Sequence, residues 1–324
     1  MKYYEEKGLV NFSIKEYQTK LNHLPNPLSE IKLQRDDFYR NKLKEKLEKS
    51  ASPTSFATYL NCPLDFYFKY ILGLKESDEV DEEMGADVFG NIMHDVLDIL
   101  YRPYLGTTPD FEKINADLDA VLKGVIQKVL KNRWIKTGIN KMNIEIIETL
   151  LKNFIRLDRK FIEDQIAQGK NFEIVAIEDE LLQKFEFNIQ GEEITINLKG
   201  RADRIDRINS KLRLIDYKTG KVDKLNKVEV AKVFEDGAWS KALQLLMYRA
   251  MYDNFENPEL EAGIVGFRDL KQYVQKLNLK KEDEENVKNL FYNGLYELVN
   301  SMLNDPSEIT HNPKSKWCKF CEIN

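Results

Sequence analysis

The stretch Leu214–Lys221, "LIDYKTGK", decides the reading of this chain. Two apolar residues lead into Asp216, Tyr217 and Lys218, and Thr219–Gly220 then breaks the run. This is the pattern of a strand that ends by presenting an acid and a lysine. Residues two apart share a strand face, so Asp216 and Lys218 point the same way. The preceding run, "GRADRID" at Gly200–Asp206, is strand-like too, and Asn209–Ser210 is the best turn between the two. A two-residue turn there sets Ile208 against Lys211, and the same register brings Asp203 opposite Asp216. Side chains directly opposed in a hairpin have Cβ atoms about 4.5–5.5 Å apart, where like charges destabilise the sheet. Such a pair is either hydrated at an open hairpin end or supplied with a cation. Oxygen ligands at that separation suit Mg²⁺ or Mn²⁺. With Lys218 beside them to hold a water or stabilise an anionic transition state, the acids form a kit for metal-assisted phosphodiester hydrolysis.

The composition bounds this reading. At 324 residues the chain has room for one large domain or two small ones. A formal net charge of −5 excludes a protein that is basic overall, so any nucleic-acid contact must rest on a local patch. Residues 199–224 offer one, with nine Lys or Arg against four Asp. A phosphate backbone lying there would meet Arg201 and Arg204. Three cysteines, an odd number, argue against a secreted disulfide scaffold. The N-terminus lacks the apolar run of a signal peptide, and no window approaches the length of a membrane span. The expected location is cytoplasmic, without a membrane.

Along the chain, residues 1–50 read as a charged helical extension or linker, with "KLQRDDFYRNKLKEKLEKS" as a solvated helix, and residues 51–324 as the domain proper. Ser52 or Ser55 caps a helix with an apolar face of Phe56, Tyr59 and Leu60, and Pro63 opens a second. An acidic loop follows, "KESDEVDEEMG". Apolar spacing predicts helices over 89–104, 111–131 and 143–168. Strands follow in "FEIVAIEDELLQKFEFNI", "EEITINLKGRADRID" and "KLRLIDYKTG", then a helix over 227–253, a strand in "EAGIVGFRDL" and a last helix over 282–303. That order predicts an α/β or α+β domain with its sheet flanked by helices. No phosphate-binding Gly-x-x-x-x-Gly-Lys-Ser/Thr loop occurs.

"GRADRID" followed by "LRLIDYKTGK" resembles the RecB-like branch of the PD-(D/E)XK nucleases, the group that includes the RecB and AddB nuclease domains. "FGNIMHDVLDILY" is similar to that family's helix with Gly-x-x-x-His, and "QLLMY" to its Gln-x-x-x-Tyr element. "SPTSFATYLNCPLDFYFKYILGL" is similar to the segment that begins these domains. The resemblance runs from about Ser52 to the C-terminus. It implies a restriction-endonuclease-like α/β fold, a central mixed sheet flanked by helices. It implies a catalytic set of His94, Asp203, Asp216 and Lys218. His94, Asp203, Asp216 and the Tyr217 carbonyl would hold Mg²⁺ or Mn²⁺, with Glu178 or Glu180 nearby. On spacing alone His94 reads as a satisfied helix histidine; the resemblance makes it a metal ligand. Gly90, one turn earlier, would leave room for close backbone approach. Gln244 and Tyr248 share a helix face; they would touch the DNA strand or order the carboxylates, or form the polar rim of a buried helix. The implied activity is a DNA nuclease, an exonuclease on single strands or ends in recombinational repair, beside a helicase or as part of a helicase-containing chain. The competing expectations are a nuclease-like module that binds DNA or a partner without cutting, and a hydrolase directed at RNA.

The cysteines carry a further expectation. In AddB-like members one early and three late cysteines hold a [4Fe–4S] cluster. Cys62, Cys318 and Cys321 match three of these positions, and the fourth would follow Asn324, as though the sequence were cut short or the site decayed. His311 is an alternative fourth ligand in a Cys₃His zinc site, and unmetallated thiols packed as small apolar groups are the third reading.

Overall fold

The structure, a computed structural model, describes residues 31–75, 84–130, 138–222, 225–270, 273–315, 318 and 321. Residues 1–30, most of the acidic loop, Lys131, Asp223 and Lys224 lie outside the described residues, and with them those parts of the expectations above.

A five-stranded mixed sheet in the order β1-β2-β3-β4-β5 divides the molecule. Its strands are β1 (Phe172–Ile189), β2 (Glu192–Ile208), β3 (Lys211–Lys218), β4 (Glu261–Gly266) and β5 (Gln275–Lys276). All neighbours are antiparallel except β3 and β4, which run parallel. The turn between β2 and β3 is the one expected: Ile208 pairs with Lys211, and Asn209 takes the left-handed conformation (φ +54°) that asparagine tolerates better than most residues.

Helices cover both faces. On one lie α1 (Asp37–Lys49), α2 (Pro53–Asn61), α3 (Pro63–Phe66, continuing as a wider turn through Ile71), α7 (Val230–Val233), α8 (Ser240–Asp253) and α10 (Val287–Asn304). On the other lie α4 (Ala86–Tyr101), α5 (Phe111–Leu130) and α6 (Gly138–Ala167). The short α9 (Lys281–Glu284) precedes α10. β3 serves both cores by its period of two: Leu214 faces the first, Ile215 and Tyr217 the second. Ser52 and Ser55 form a capping box that starts α2, with Pro53 in its first turn. α4 buries Ile92, Met93, Val96, Leu97, Leu100 and Tyr101, the stripe its spacing predicts.

Three expectations change. The helix read as solvated, α1, buries Tyr39, Leu43 and Leu47 in the first core, an i, i+4 stripe hidden among its lysines and glutamates. The helix expected over 227–253 is broken, because Asp236 caps a separate turn at Gly237–Trp239 through the amide of Ala238. Arg204, expected to meet DNA, is about 1% exposed and faces the second core. Its Nη1 reaches Asp158 Oδ2 at 3.0 Å and its Nε lies 2.9 Å from Asp206 Oδ2. Arg213 holds Asp206 from the other side with two hydrogen bonds, at 2.6 and 2.8 Å. The guanidinium of Arg204 also packs over Tyr101 and Phe172, each 5.5 Å to the ring centre. Two arginines and two aspartates thus neutralise one another inside the protein.

Removing one member of a buried ion network leaves charge without a partner, typically at a cost of about 3–5 kcal/mol. Arg204→Met should therefore lower the urea midpoint strongly, while Arg201→Met, at an exposed position, should move it little. Equal midpoints for the two variants would refute the buried assignment.

Candidate active site

The β2–β3 ladder ends at Arg204–Ile215, one pair short of the two aspartates. Beyond it β3 continues in parallel with β4, Asp216 beside Ile264 and Lys218 beside Gly266. The Tyr217 amide, which has lost its β2 carbonyl, donates instead to Asp203 Oδ2 at 2.5 Å. Across β2 from Asp203 stands Glu178, between the paired positions Ile177–Arg204 and Asp179–Ala202. Glu178 adopts φ +53°, a costly conformation for a residue with a Cβ and one that occurs at functional sites. Three carboxylates thus line up on three adjacent strands where the ladder opens.

His94, on α4, closes the group. Its Nδ1 is 3.2 Å from Asp203 Oδ1 and 3.6 Å from Glu178 Oε1. Burial opposes its charge, but the hydrogen bonds it donates to the Asp203 and Glu178 carboxylates outweigh that and hold its pKa up at about 10. One ligand atom each from His94, Glu178 and Asp203 falls within 4.8 Å of the others. Glu180 is not part of the group; it is exposed and paired with Lys199 at 2.8 Å.

Asp216 faces α8. Its Oδ1 accepts from Gln244 Nε2 at 2.9 Å and from the Tyr248 hydroxyl at 3.4 Å. Its Oδ2 is held by Lys218 Nζ at 2.8 Å. Burial raises its pKa to about 6, with Lys218 opposing and Asp203 adding to the rise. Gly200 allows α8 this close, since a Cβ there would stand 2.6 Å from Met251 Cε and 3.0 Å from Tyr248 Cε1. Gly90 imposes no such constraint: a Cβ there would lie 3.8 Å from Thr219 Oγ1, an ordinary contact.

These side chains line a cleft of about 500 Å³, together with Ser52–Thr54, Asn91, Asp95, Asp98, Arg102, Lys199 and Arg201. Arg201 is largely exposed and pairs with Glu178 at 2.9 Å. The aromatic ring of Tyr217 points away from the cleft, into the core beside Phe154 and Phe267. The positive excess over residues 199–224 is mostly spent within the sheet: Lys199, Arg201, Arg204, Arg207, Lys211, Arg213 and Lys218 each have an acidic partner. Three carboxylates with one imidazole form a donor set that fits a hard divalent cation. Cys62, Cys318 and Cys321 also come together, with His311, at the opposite end of α2.

A family model described as the PD-(D/E)XK nuclease superfamily matches residues 50–324. An uncharacterised protein of Rickettsia conorii is 29% identical over 185 residues, covering 55% of this chain and 20% of the relative. An ATP-dependent helicase/deoxyribonuclease subunit of Clostridium perfringens is 28% identical over 227 residues, covering 64% and 18%. The protein of the same name from Streptococcus agalactiae is 25% identical over 252 residues, covering 76% and 21%. The chain spans about a fifth of the length of these curated relatives.

Groups that orient metal ligands typically contribute about 10–100-fold in affinity or activity. Gln244→Leu, which removes the shorter of the two hydrogen bonds to Asp216 Oδ1, should weaken Mn²⁺ binding by that order in a calorimetric titration. Unchanged affinity would show that Gln244 does not orient Asp216 for a metal.

Proposed function

Because the chain belongs to the PD-(D/E)XK nuclease superfamily, we propose that it hydrolyses DNA phosphodiester bonds with Mg²⁺ or Mn²⁺, acting on single strands or DNA ends in recombinational repair. The observation that carries this reading is the grouping of His94, Glu178 and Asp203 within ligand distance of one another, in an open cleft that Asp216 and Lys218 also line. His94, Glu178, Asp203 and Asp216, with the Tyr217 carbonyl as a further oxygen, would hold the ion. The bound ion supplies Lewis-acid polarisation of the scissile phosphate.

The remaining roles belong to the chain. Gln244 and Tyr248 hold Asp216 Oδ1, and Lys218 holds Oδ2. Lys218, partly exposed beside Oδ2, orients the attacking water or meets charge developing on the phosphate. Arg201 at the rim meets the phosphate backbone. The helicase/deoxyribonuclease proteins among the relatives support a setting beside a helicase activity. No described helix is long and apolar enough to cross a membrane, and a DNA substrate is consistent with a cytoplasmic location.

Matched single-stranded DNA, duplex DNA and RNA oligomers test the proposal. The protein should cut DNA only with Mg²⁺ or Mn²⁺ and stop on addition of a chelator. Asp216→Ala should abolish cleavage while leaving the circular dichroism spectrum and melting point intact. Lys218→Met should slow cleavage by about 10²–10³-fold, the usual loss for a group that stabilises developing charge. Cleavage by Asp216→Ala at the parental rate, or DNA binding by the parent without turnover, would overturn the reading.

A further inference from the structure

The second cluster of ligating side chains lies at the other end of α2. Cys62 occupies the corner between α2 and α3 and is fully buried. His311, Cys318 and Cys321 come from the segment after α10, and His311 Nδ1 lies 3.5 Å from Cys62 Sγ. The four ligand atoms all fall within 4.8 Å of one another. Hydrogen bonds set the ligands in place. The Asn312 amide points at Cys62 Sγ from 3.5 Å, and Cys318 Sγ is 2.9 Å from Ser315 Oγ. Asn61 Nδ2 donates to Ser315 Oγ at 2.6 Å, and Asn312 Nδ2 donates to the Asn61 carbonyl at 2.8 Å. Such outer contacts orient ligands in working metal sites.

Spacing decides between the metal groups. Zinc–sulfur bonds of about 2.3 Å in a tetrahedron place neighbouring ligand atoms about 3.8 Å apart. The observed cluster exceeds that by no more than about 1 Å on any edge. A [4Fe–4S] cluster sets four irons and four sulfides between its ligands, a larger core than ligand atoms this close together enclose, so their spacing fits a single ion.

We propose that Cys62, His311, Cys318 and Cys321 bind one Zn²⁺ in a closed tetrahedral site that fastens the segment after α10 to the corner between α2 and α3. The segment from 305 to 315 has little secondary structure of its own, a single bridge from Ile309 to Leu33. The metal would add a tie to the hydrogen bonds that hold this segment to Leu33, Arg35 and Asn61. The site does not depend on the nuclease reading. It does bear on the cleft, because α2 runs from the ligand corner to Pro53 and Thr54 on the cleft wall.

Elemental analysis of the full chain, purified without chelators, should find about one zinc and no stoichiometric iron, as a closed structural site requires. Asp203→Ala should keep that zinc, which places it outside the cleft. His311→Ala and Cys321→Ser should each lose it by about tenfold or more and melt at lower temperature than the parent. Cobalt substitution should give the visible bands of tetrahedral thiolate coordination in the parent and in Asp203→Ala, and not in His311→Ala. Four irons with acid-labile sulfide, a Cys318–Cys321 disulfide without metal, or zinc lost in Asp203→Ala and kept in His311→Ala would each overturn the proposal. Metal content is read without any cleavage assay, so its outcome stands apart from that of the nuclease test.

Discussion

Where β2 parts from β3, a carboxylate stands in for a carbonyl: Asp203 Oδ2 accepts the Tyr217 amide that the ladder has left without a partner. That substitution has two effects at once. It satisfies a buried backbone donor that would otherwise carry the full desolvation penalty. It also fixes Asp203 so that its other oxygen faces His94. The strained backbone at Glu178 belongs to the same opening, since the ladder is interrupted on both sides of Asp203. The acids meet because three strands stop pairing regularly at one level, and α4 and α8 bring His94, Gln244 and Tyr248 to the gap.

The opposite arrangement lies one residue away. Arg204 follows Asp203 directly and turns into the second core, where Asp158, Asp206 and Arg213 surround it. Phe154 joins Tyr217 to Phe267 and Tyr273 beside this network, and the Tyr273 hydroxyl donates to Asp158. Charges on one side of β2 are thus paired with one another inside the protein, while those on the other line an open cleft. A network of buried ion pairs beneath the strained opening is a sound mechanical basis for positioning the four side chains proposed as ligands.

How much of this the sequence discloses depends on local regularity. The β2–β3 turn follows from Asn209–Ser210 and the alternation beside it, and with it the closeness of Asp203 and Asp216. His94, Gln244 and Tyr248 follow from helical spacing and family resemblance. Glu178 is legible by the same kind of count, since a turn at Gln190–Gly191 pairs Ile189 with Glu192 and brings Glu178 opposite Asp203; the register shift between Ile174 and Ala176 lies farther from that turn. Arg204 is misplaced by a tally of charges, which carries no information about burial; Asp206 and Arg213, facing each other across the hairpin, are the available sign of an internal network. His311 has no spacing rule to recommend it, since its nearby ligand partner, Cys62, lies 249 residues away.

The pairing of Leu33 with Ile309 has a consequence for biosynthesis. A chain emerging from the ribosome would present Tyr39, Leu43 and Leu47 long before Met302, Leu303 and Ile309 exist to finish the core they share. The long β1–β2 hairpin can form locally in the meantime, because its contacts are close in sequence. Nascent α1 therefore waits with a greasy flank uncovered, and that interval is when a chaperone or a neighbouring nascent copy would find it.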